Sequence, residues 1–485
     1  MGPTQRVAIV GGGAAGVLAA VHILREHRGR CPLEIELIDR TGEFGAGVAY
    51  GTADPHHLLN VPAVRMGGIS GHPEHFHEWL TERGEPAEEQ AFLPRWLYAT
   101  YLRDLLDRAE AEAPQARLTR LRGTVVSIVE PAGNGLPAVE LGLAGGERID
   151  ADRVVLALGP PAAGDPVAVP SELKESGVWI TDPWAAGVLQ KARKSHSVLI
   201  VGTGLSMVDV ALSLGEGARG PQVRAVSRHG LVPRRHRPGL TNVRRFHVPT
   251  GSGTLEPMLA AFFAQVGRVA QQGDDWRDVI DSMRPVTPQL WKALKREEKE
   301  RFLAEFQRFW DVHRFRMAPE VADRLEALAA AGRLRTDAAS IVSLEAHGAG
   351  ARVFLRAPGD RDLDLVEVDH VIDCTGAGFD LRRQPPPVLA GLIAGGRARP
   401  DELGLGLDID DDGALLDGDG LPTDRLFVVG ALRKGVEWEA IGITEIRDHA
   451  GAIARRIVKT EETEETPLPT ELRPLDVAPT KWQAA

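Results

Sequence analysis

Three glycines near the start of the chain, Gly11, Gly13 and Gly16, have the spacing G-x-G-x-x-G directly after the apolar run VAIV. The run predicts a buried strand, and the apolar residues that recur at helical spacing after Gly16 predict a helix. The first glycine of such a turn allows a sharp bend, the second lets a pyrophosphate approach the backbone, and the third lets helix and strand pack closely. Free N–H groups at the start of the helix can then bind phosphate. The spacing predicts a dinucleotide-binding turn.

An acidic residue at the end of the next strand supports this interpretation. The stretch LEIELIDR predicts that strand and ends at Asp39 and Arg40. A carboxylate in this place accepts hydrogen bonds from both ribose hydroxyls of an adenosine. The first site therefore suits FAD.

A second glycine turn follows the apolar run VLIV in the middle of the chain, with Met207 in place of the third glycine. The helix is expected to pack slightly further from its strand there. The next strand ends in Ser-Arg-His instead of an acid, and a hydroxyl and a guanidinium favour the 2′-phosphate of NADPH over the free hydroxyl of NADH. The alternative is that Arg228 is simply solvated at a strand end. The predicted NADPH contacts are Gly202, Gly204, Leu205, Ser206, Ser227, Arg228 and His229.

A chain that binds both FAD and NADPH can pass a hydride from nicotinamide to flavin. The two cysteines, Cys31 and Cys374, form no C-x-x-C pair, which excludes a disulfide reductase and predicts neither a disulfide nor a metal site. The net charge of −11 argues against nucleic acid as a partner. The apolar run at 7–24 belongs to the first glycine turn and not to a membrane anchor, so we expect a cytoplasmic protein.

These motifs must be positioned by more than one domain, because 485 residues exceed a single compact core. The predicted fold class is α/β, with two Rossmann-like domains. Residues 1–165 and 376–460 are expected to form a discontinuous FAD domain, and residues 166–375 an inserted NADPH domain. A helical insertion is expected at about 254–332, where Phe302, Phe306 and Phe309 recur at helical spacing and predict core packing. Residues 461–485 are acidic and rich in proline, and predict a flexible tail.

Six stretches distributed over nearly the whole chain resemble a family of FAD/NAD(P)-binding flavoproteins. The stretches are GAGVAYGTADPHHLLNVPAVRM (45–66), FLPRWLYATYL (92–102), VGTGLSMVDV (201–210), SRHGLVPRRHR (227–237), WDVHRFRMAP (310–319) and VEWEAIGITEIR (436–447). The family is distantly similar to flavin-dependent N-hydroxylating and Baeyer–Villiger monooxygenases. Some members are similar to N-oxygenases that convert aspartate to nitrosuccinate in natural-product pathways. The Baeyer–Villiger signature and the usual ornithine-hydroxylase motifs are not intact in this chain.

The resemblance implies which segments approach the flavin. It brings residues 45–50 and 60–66 close to the ring system, places Gly430 at the end of the last FAD strand, and starts a helix near Ile443 and Thr444. The dipole of that helix would stabilise the reduced flavin anion, although Thr444 can also be read as a simple helix cap. No catalytic residue is assigned, and the flavin-proximal candidates are Asn60, Met66 and Thr444. The predicted FAD contacts are Gly11, Gly13, Gly16, Asp39, Arg40, Gly45, Val48, Asn60, Met66, Gly430, Ile443 and Thr444.

The leading hypothesis is an NADPH-consuming FAD monooxygenase that uses O₂, through a flavin hydroperoxide, to oxygenate the nitrogen of a small amine or amino acid. An aspartate-like substrate would need cationic anchors, and the candidates are Arg65, Arg314 and Arg433; each can equally make a structural ion pair. One alternative is an NADPH-dependent flavin oxidoreductase that passes electrons to a quinone or a carrier protein. Another is a non-catalytic sensor of FAD and NADPH. Whether the chain forms a homo-oligomer is left open.

Overall fold

The computed structural model describes residues 4–27, 29, 31–85, 87–131, 138–160, 164–217, 220–237, 253–376 and 380–464. Among these residues, the first part of the chain has seven strands and four α-helices. They are β1 Gln5–Val10, α1 Ala14–Glu26, β2 Leu33–Asp39, α2 Gly47–Tyr50, α3 His75–Glu82, α4 Arg95–Ala111, β3 Ala116–Arg122, β4 Val125–Val129, β5 Val139–Leu143, β6 Arg148–Ala151 and β7 Arg153–Leu156.

In the middle of the chain, helices and strands first alternate, then a run of helices follows, and five strands end this part. Its elements are α5 Ser171–Glu175, β8 Trp179–Ile180, α6 Val188–Ala192, β9 Ser197–Val201, α7 Leu205–Gly215, β10 Gln222–Ser227, α8 Leu255–Gln271, α9 Trp276–Met283, α10 Thr287–Ala293, α11 Arg296–Arg301, α12 Gln307–Arg314, α13 Pro319–Ala330, β11 Leu334–Ala338, β12 Ser340–His347, β13 Gly350–Arg356, β14 Asp364–Val368 and β15 His370–Asp373. The last part contains α14 Pro387–Ala394, β16 Ala414–Leu416, β17 Pro422–Val428 and α15 Ile443–Glu464.

The first sheet joins strands from both ends of the chain. Its order is β16-β17-β7-β1-β2-β3, and all neighbours are parallel except β16 and β17. Ile9 at the centre pairs with Leu37 on one side and with Val155 on the other. Helices α1, α4 and α15 cover one face of the sheet, and the small antiparallel sheet β4-β5-β6 with α14 covers the other. Burial on both faces explains why these strands are nearly uninterrupted apolar runs.

The second sheet has the order β11-β10-β9-β15-β8 and is parallel throughout. Helices α7 and α13 pack on one face, and the antiparallel sheet β12-β13-β14 packs on the other. The predicted α/β class with two Rossmann-like sheets is therefore confirmed. The domain boundaries at residues 165 and 376 stay predictions, with which the distribution of strands between the two sheets agrees.

The predicted insertion at about 254–332 is helical, but its last helix belongs to the second sheet. Helix α13 packs on α7 and leads into β11, so it is a crossover connection. Helices α8 to α12 precede it, and α8, α9 and α10 with residues 302–306 form a separate core that also contains Leu403 and Trp438 from the last part of the chain. The insertion proper therefore ends near residue 314 and contacts both halves of the molecule.

A π-helical turn at Phe302–Phe306 joins α11 to α12 and changes the predicted aromatic face. Phe302 packs against Trp438 with ring centroids 5.4 Å apart, whereas Phe309 is 48% exposed. The predicted core packing was wrong for Phe309, because a π turn contains an extra residue and rotates the helix that follows it.

Helix α15 continues to Glu464, beyond the predicted domain end at 460, and the remaining predicted tail, 465–485, lies outside the described residues. In the described part of the chain, no helix has both the length and the apolar character needed to cross a bilayer. The same residues contain no cluster of His, Cys, Asp and Glu suited to a metal ion.

Candidate functional site

The first glycine turn connects β1 to α1 and is tightly packed. Gly11 has φ +110°, and a Cβ added there would overlap the carbonyl oxygen of Ala157. A Cβ added at Gly16 would overlap the carbonyl oxygen of Gly11. Both positions therefore require glycine, as the spacing predicts, since neither backbone can move away without opening the sheet.

The start of α1 is an open site for an anion. Gly13 caps the helix without any side-chain hydrogen bond, and its first turn carries no acidic residue. A Cβ built on Gly13 would meet nothing closer than the Cα of Gly47, at 3.6 Å. The amide of Gly45 donates to the oxygen of Gly12 over 2.8 Å, which holds the 45–47 loop beside the turn. Unpaired helix N–H groups with room in front of them fit a pyrophosphate.

Gly430 reaches the same place from the other end of the chain. It follows β17 with φ +82°, and a Cβ there would lie 3.3 Å from the Cβ of Ala15. Three segments that are distant in sequence thus converge on the start of α1. This convergence agrees with the predicted FAD contacts Gly11, Gly13, Gly45 and Gly430, which stay predictions as ligand contacts.

Hydrogen bonds from the first glycine turn and from Thr41 orient the side chain of Asp39. One carboxylate oxygen accepts from the amide of Gly12 over 2.9 Å, and the other accepts from the amide and hydroxyl of Thr41 over 2.8 and 2.6 Å. The side chain is half-buried, and the neighbouring Arg40 is exposed. The carboxylate is held at the edge of the glycine turn, where an adenosine ribose would meet it.

The predicted flavin end combines the 60–66 loop with the start of α15. Arg447 on α15 donates to the carbonyl oxygen of Gly67 over 3.0 Å, so the helix and the loop are held together. Helix α15 begins at Ile443, with Thr444 in its first turn. Met66 is 3% exposed and packs in the core under the loop. Val48, also a predicted FAD contact, is 64% exposed.

The second glycine turn, between β9 and α7, is tightly packed at Gly202 and has free space at Gly204. A Cβ on Gly202, whose φ is +103°, would overlap the carbonyl oxygen of Cys374. A Cβ on Gly204 would have no heavy atom within 4 Å. Gly204 caps α7 without a side-chain hydrogen bond, and the first turn of the helix is free of acids. Met207, at the place of the missing third glycine, is buried in the core. This turn also fits a phosphate.

The end of β10 carries the residues predicted to select NADPH. The hydroxyl of Ser227 bonds to that of Thr203 over 2.8 Å and accepts from the amide of Gly230 over 3.0 Å, so it also holds the loop. Arg228 and His229 are exposed, and Arg308 of α12 contacts the His229 ring. Sequence reasoning missed Arg308, because nothing in the sequence connects residue 308 with residue 229.

Helix α7 is fixed to the first half of the chain by buried polar contacts that the sequence patterns did not predict. Arg95 pairs with Asp209 over 2.8 Å. The hydroxyl of Ser213 donates to Asp54 over 2.6 Å and accepts from His57 Nε2 over 2.9 Å. Burial raises the pKa of Asp209, although the positive charge of Arg95 opposes this. Four of these five residues fall within stretches that carry the family resemblance, which is the only sequence signal for them.

His236 forms a second link between the two halves. Its Nε2 donates to the main-chain oxygen of Asn60 over 3.0 Å. Burial and then the charge of Arg316 lower the pKa of this imidazole to about 3, and Arg277 and Arg65 contribute in the same direction. Arg316 is 2% exposed; its Nη2 pairs with Asp281, whereas its Nε and Nη1 have no hydrogen-bond partner. The junction is thus rich in arginines and contains unsatisfied donors.

Two of the three predicted substrate arginines make ion pairs within the protein. Arg314 pairs side-on with Glu439 over 2.8 to 3.1 Å, and Arg433 pairs with Glu437 over 2.7 and 3.2 Å. Arg433 is almost completely buried. These contacts favour the ion-pair interpretation for both residues, and their substrate role stays an untested prediction. Arg65 is half-buried in the short turn Ala63–Arg65 before Met66, beside the predicted flavin end.

Residues 8–161 match a family model described as FAD-NAD(P)-binding. The comparison with curated proteins found no match. Among solved structures, the chain is similar to the ornithine N-hydroxylase KtzI of Kutzneria sp. 744, with 15% identity, a TM-score of 0.64, and coverage of 95% of this chain and 100% of that chain. It is also similar to L-lysine 6-monooxygenase of Pseudomonas syringae, with 18% identity, a TM-score of 0.61, and coverage of 96% and 100%.

A third similar structure is DfoA, the cadaverine monooxygenase of Erwinia amylovora bound to FAD. It shares 14% identity and a TM-score of 0.62, with coverage of 99% of both chains. The KtzI structure contains reduced FAD, NADP⁺ and L-ornithine. The chain therefore has, over nearly its whole length, the fold of FAD-dependent N-hydroxylating monooxygenases, with an FAD/NAD(P)-binding region at 8–161.

Proposed function

We propose that the protein is an FAD-containing, NADPH-consuming monooxygenase that hydroxylates the nitrogen of a small amine or amino acid. The observation that carries the proposal is the pair of uncapped helix starts, at Gly13 and Gly204, on two mainly parallel sheets that the half-buried ion pair Arg95–Asp209 helps to hold together. The similarity of fold to ornithine, lysine and cadaverine hydroxylases supports the same reaction class.

Each segment of the first site has a defined task in this proposal. The N–H groups at the start of α1 bind the pyrophosphate of FAD, Asp39 accepts from its ribose, and the positive end of α15 faces its ring system. When bound, FAD would accept a hydride from NADPH and supply the means of activating O₂ for transfer to an amine. The apolar Val48 and the buried Met66 would help to exclude water from the reacting atoms.

The substrate class is the finer part of the proposal. We infer that the substrate carries a carboxylate, because Arg65 and the partly unsatisfied Arg316 lie around His236, which is bonded to the predicted flavin loop at Asn60. A guanidinium with free donors in a buried place favours a carboxylate partner. An aspartate-like amino acid is one member of this class, as are ornithine and lysine.

The test is an amine panel with two readouts, namely NADPH oxidation and formation of a hydroxylamine or nitro product. Aspartate, ornithine and lysine should include the best substrate, and cadaverine, which lacks a carboxylate, should be turned over at least 10-fold less efficiently. Product in proportion to NADPH supports a monooxygenase. NADPH oxidation without oxygenated product, for every amine, would indicate an electron-transferring oxidoreductase. Absence of flavin reduction by NADPH would leave the sensor alternative, and preference for cadaverine would contradict the carboxylate inference.

A further inference from the structure

Two arginines and a histidine lie close together at the end of β10, namely Arg228, His229 and Arg308. The Nη1 of Arg308 contacts the Nε2 of His229. Because a guanidinium can only donate, His229 Nε2 is the acceptor and the ring is neutral in this arrangement. Partial burial, and then the charges of Arg308 and Arg228, lower the pKa of His229. The three side chains therefore form one electrostatic cluster, to which the end of β10 and the helical insertion both contribute.

The cluster has no internal counter-charge. Within the residues that the structure describes, neither Arg228 nor Arg308 forms an ion pair with a carboxylate. The Nε of Arg308 is buried and has no hydrogen-bond partner. A buried guanidinium N–H without an acceptor costs free energy, and so do two positive charges close to the same imidazole, whose pKa both of them lower. An external anion would relieve both costs.

The position of the cluster defines which anion it would meet. The amide of Gly202 donates to the oxygen of Val226 over 2.8 Å, so the glycine turn and the end of β10 are adjacent. A dinucleotide whose pyrophosphate lies on the start of α7 places its adenosine ribose at the end of the next strand. A phosphate on that ribose would lie among these three side chains.

The π turn at Phe302–Phe306 explains how the insertion reaches this place. An extra residue in the turn rotates α12 by about 100° relative to a continuous α-helix. After this rotation Arg308 contacts His229, just after β10, whereas its neighbour Phe309 is 48% exposed. The insertion also pairs with the last part of the chain through Arg284–Glu445 and Lys299–Glu402, so Arg308 stands on a layer that is fixed to the rest of the protein.

We propose that Arg308 of the helical insertion completes, with Arg228 and His229, the binding site for the 2′-phosphate of NADPH. The inference rests on the proposed NADPH site but not on the oxygenation reaction. It adds a specificity-determining residue from outside the second Rossmann-like sheet.

The test is direct binding of two nucleotides by calorimetry, with the FAD-loaded protein. The probes are 2′,5′-ADP, which carries the 2′-phosphate, and 5′-AMP, which does not. Wild type should bind 2′,5′-ADP more tightly. Arg308→Gln should weaken 2′,5′-ADP roughly 10- to 100-fold, the effect of losing a charged hydrogen bond, and should leave 5′-AMP within about 2-fold. Arg228→Gln should behave in the same way.

The matched control is Arg296→Gln, which removes a positive charge from α11 of the same insertion, where Arg296 only pairs with Glu300 on the surface. It should leave both nucleotides unchanged. An unchanged affinity of Arg308→Gln for 2′,5′-ADP, equal losses for both nucleotides, or a wild type without preference for 2′,5′-ADP would each overturn the inference. A protein that shows the expected binding but no amine hydroxylation would refute the proposed reaction and leave this site standing.

Discussion

His236 makes the stability of the junction between the two halves depend on pH. Its pKa is lowered to about 3 because of burial and the nearby Arg316, whereas a histidine in the unfolded chain titrates near 6.5. Between these values the unfolded chain binds a proton that the folded protein excludes. Stability is therefore lost as pH falls below 6.5, by about 1.4 kcal/mol per pH unit for this group.

His236→Gln should reduce that loss. Glutamine keeps a donor in the place of Nε2, which can still bond to the Asn60 oxygen, but it does not titrate. We expect the free energy of unfolding in urea to fall by about 2 kcal/mol less between pH 7.5 and pH 5 in the variant than in wild type. The other histidines contribute equally to both proteins. Identical pH dependence in the two proteins would show that His236 does not carry the effect.

At the scale of single elements, the two glycine turns offer a matched pair of substitutions. Gly16→Ala would place a methyl group on the backbone oxygen of Gly11, so we expect loss of bound FAD and of several kcal/mol of stability. Gly204→Ala has open space in front of it and an ordinary φ of −80°. It should fold within about 0.5 kcal/mol of wild type, yet weaken NADPH roughly 10-fold, because the methyl group occupies the phosphate approach.

The ratio of flavin absorbance to protein absorbance checks the first variant, and calorimetric titration with NADPH checks the second. A Gly16→Ala protein with a full complement of FAD would be inconsistent with the packing described for α1. Undiminished NADPH affinity in Gly204→Ala would mean that the nucleotide does not lie on the start of α7.

The glycine turns were predictable from sequence because they are local. Gly11 and Gly202 need a positive φ, and their strands and helices are contiguous in the chain. Asp39 was predictable for the same reason. The end of the insertion was not, since α13 has the same apolar periodicity as the helices before it and differs only in packing on α7. The contacts Arg308–His229 and Arg95–Asp209 join residues far apart in the chain, and a pattern in one segment carries no information about them.

At the scale of the whole molecule, the pair Arg95–Asp209 decides how α7 is held against the first half. Asp209→Asn leaves the Arg95 guanidinium half-buried without its counter-charge, so we expect a loss of about 3 kcal/mol in urea unfolding. The double variant Arg95→Met with Asp209→Leu should recover most of that stability, because it removes both charges and keeps apolar volume. Equal losses in the single and double variants would show that the pair is not coupled.

The helical insertion restricts relative motion of the two halves while the nicotinamide nucleotide is exchanged. Arg284–Glu445, Arg314–Glu439 and Lys299–Glu402 all join it to the last part of the chain, and Arg316–Asp281 joins it to the segment that returns to the second sheet. Pairs of this kind would have to be broken if one half swivelled past the other during turnover, and the buried pair Arg314–Glu439 alone would cost several kcal/mol. We therefore expect the two halves to keep their relative position while nucleotide binds and leaves, and we expect NADP⁺ to dissociate past the exposed Gly204.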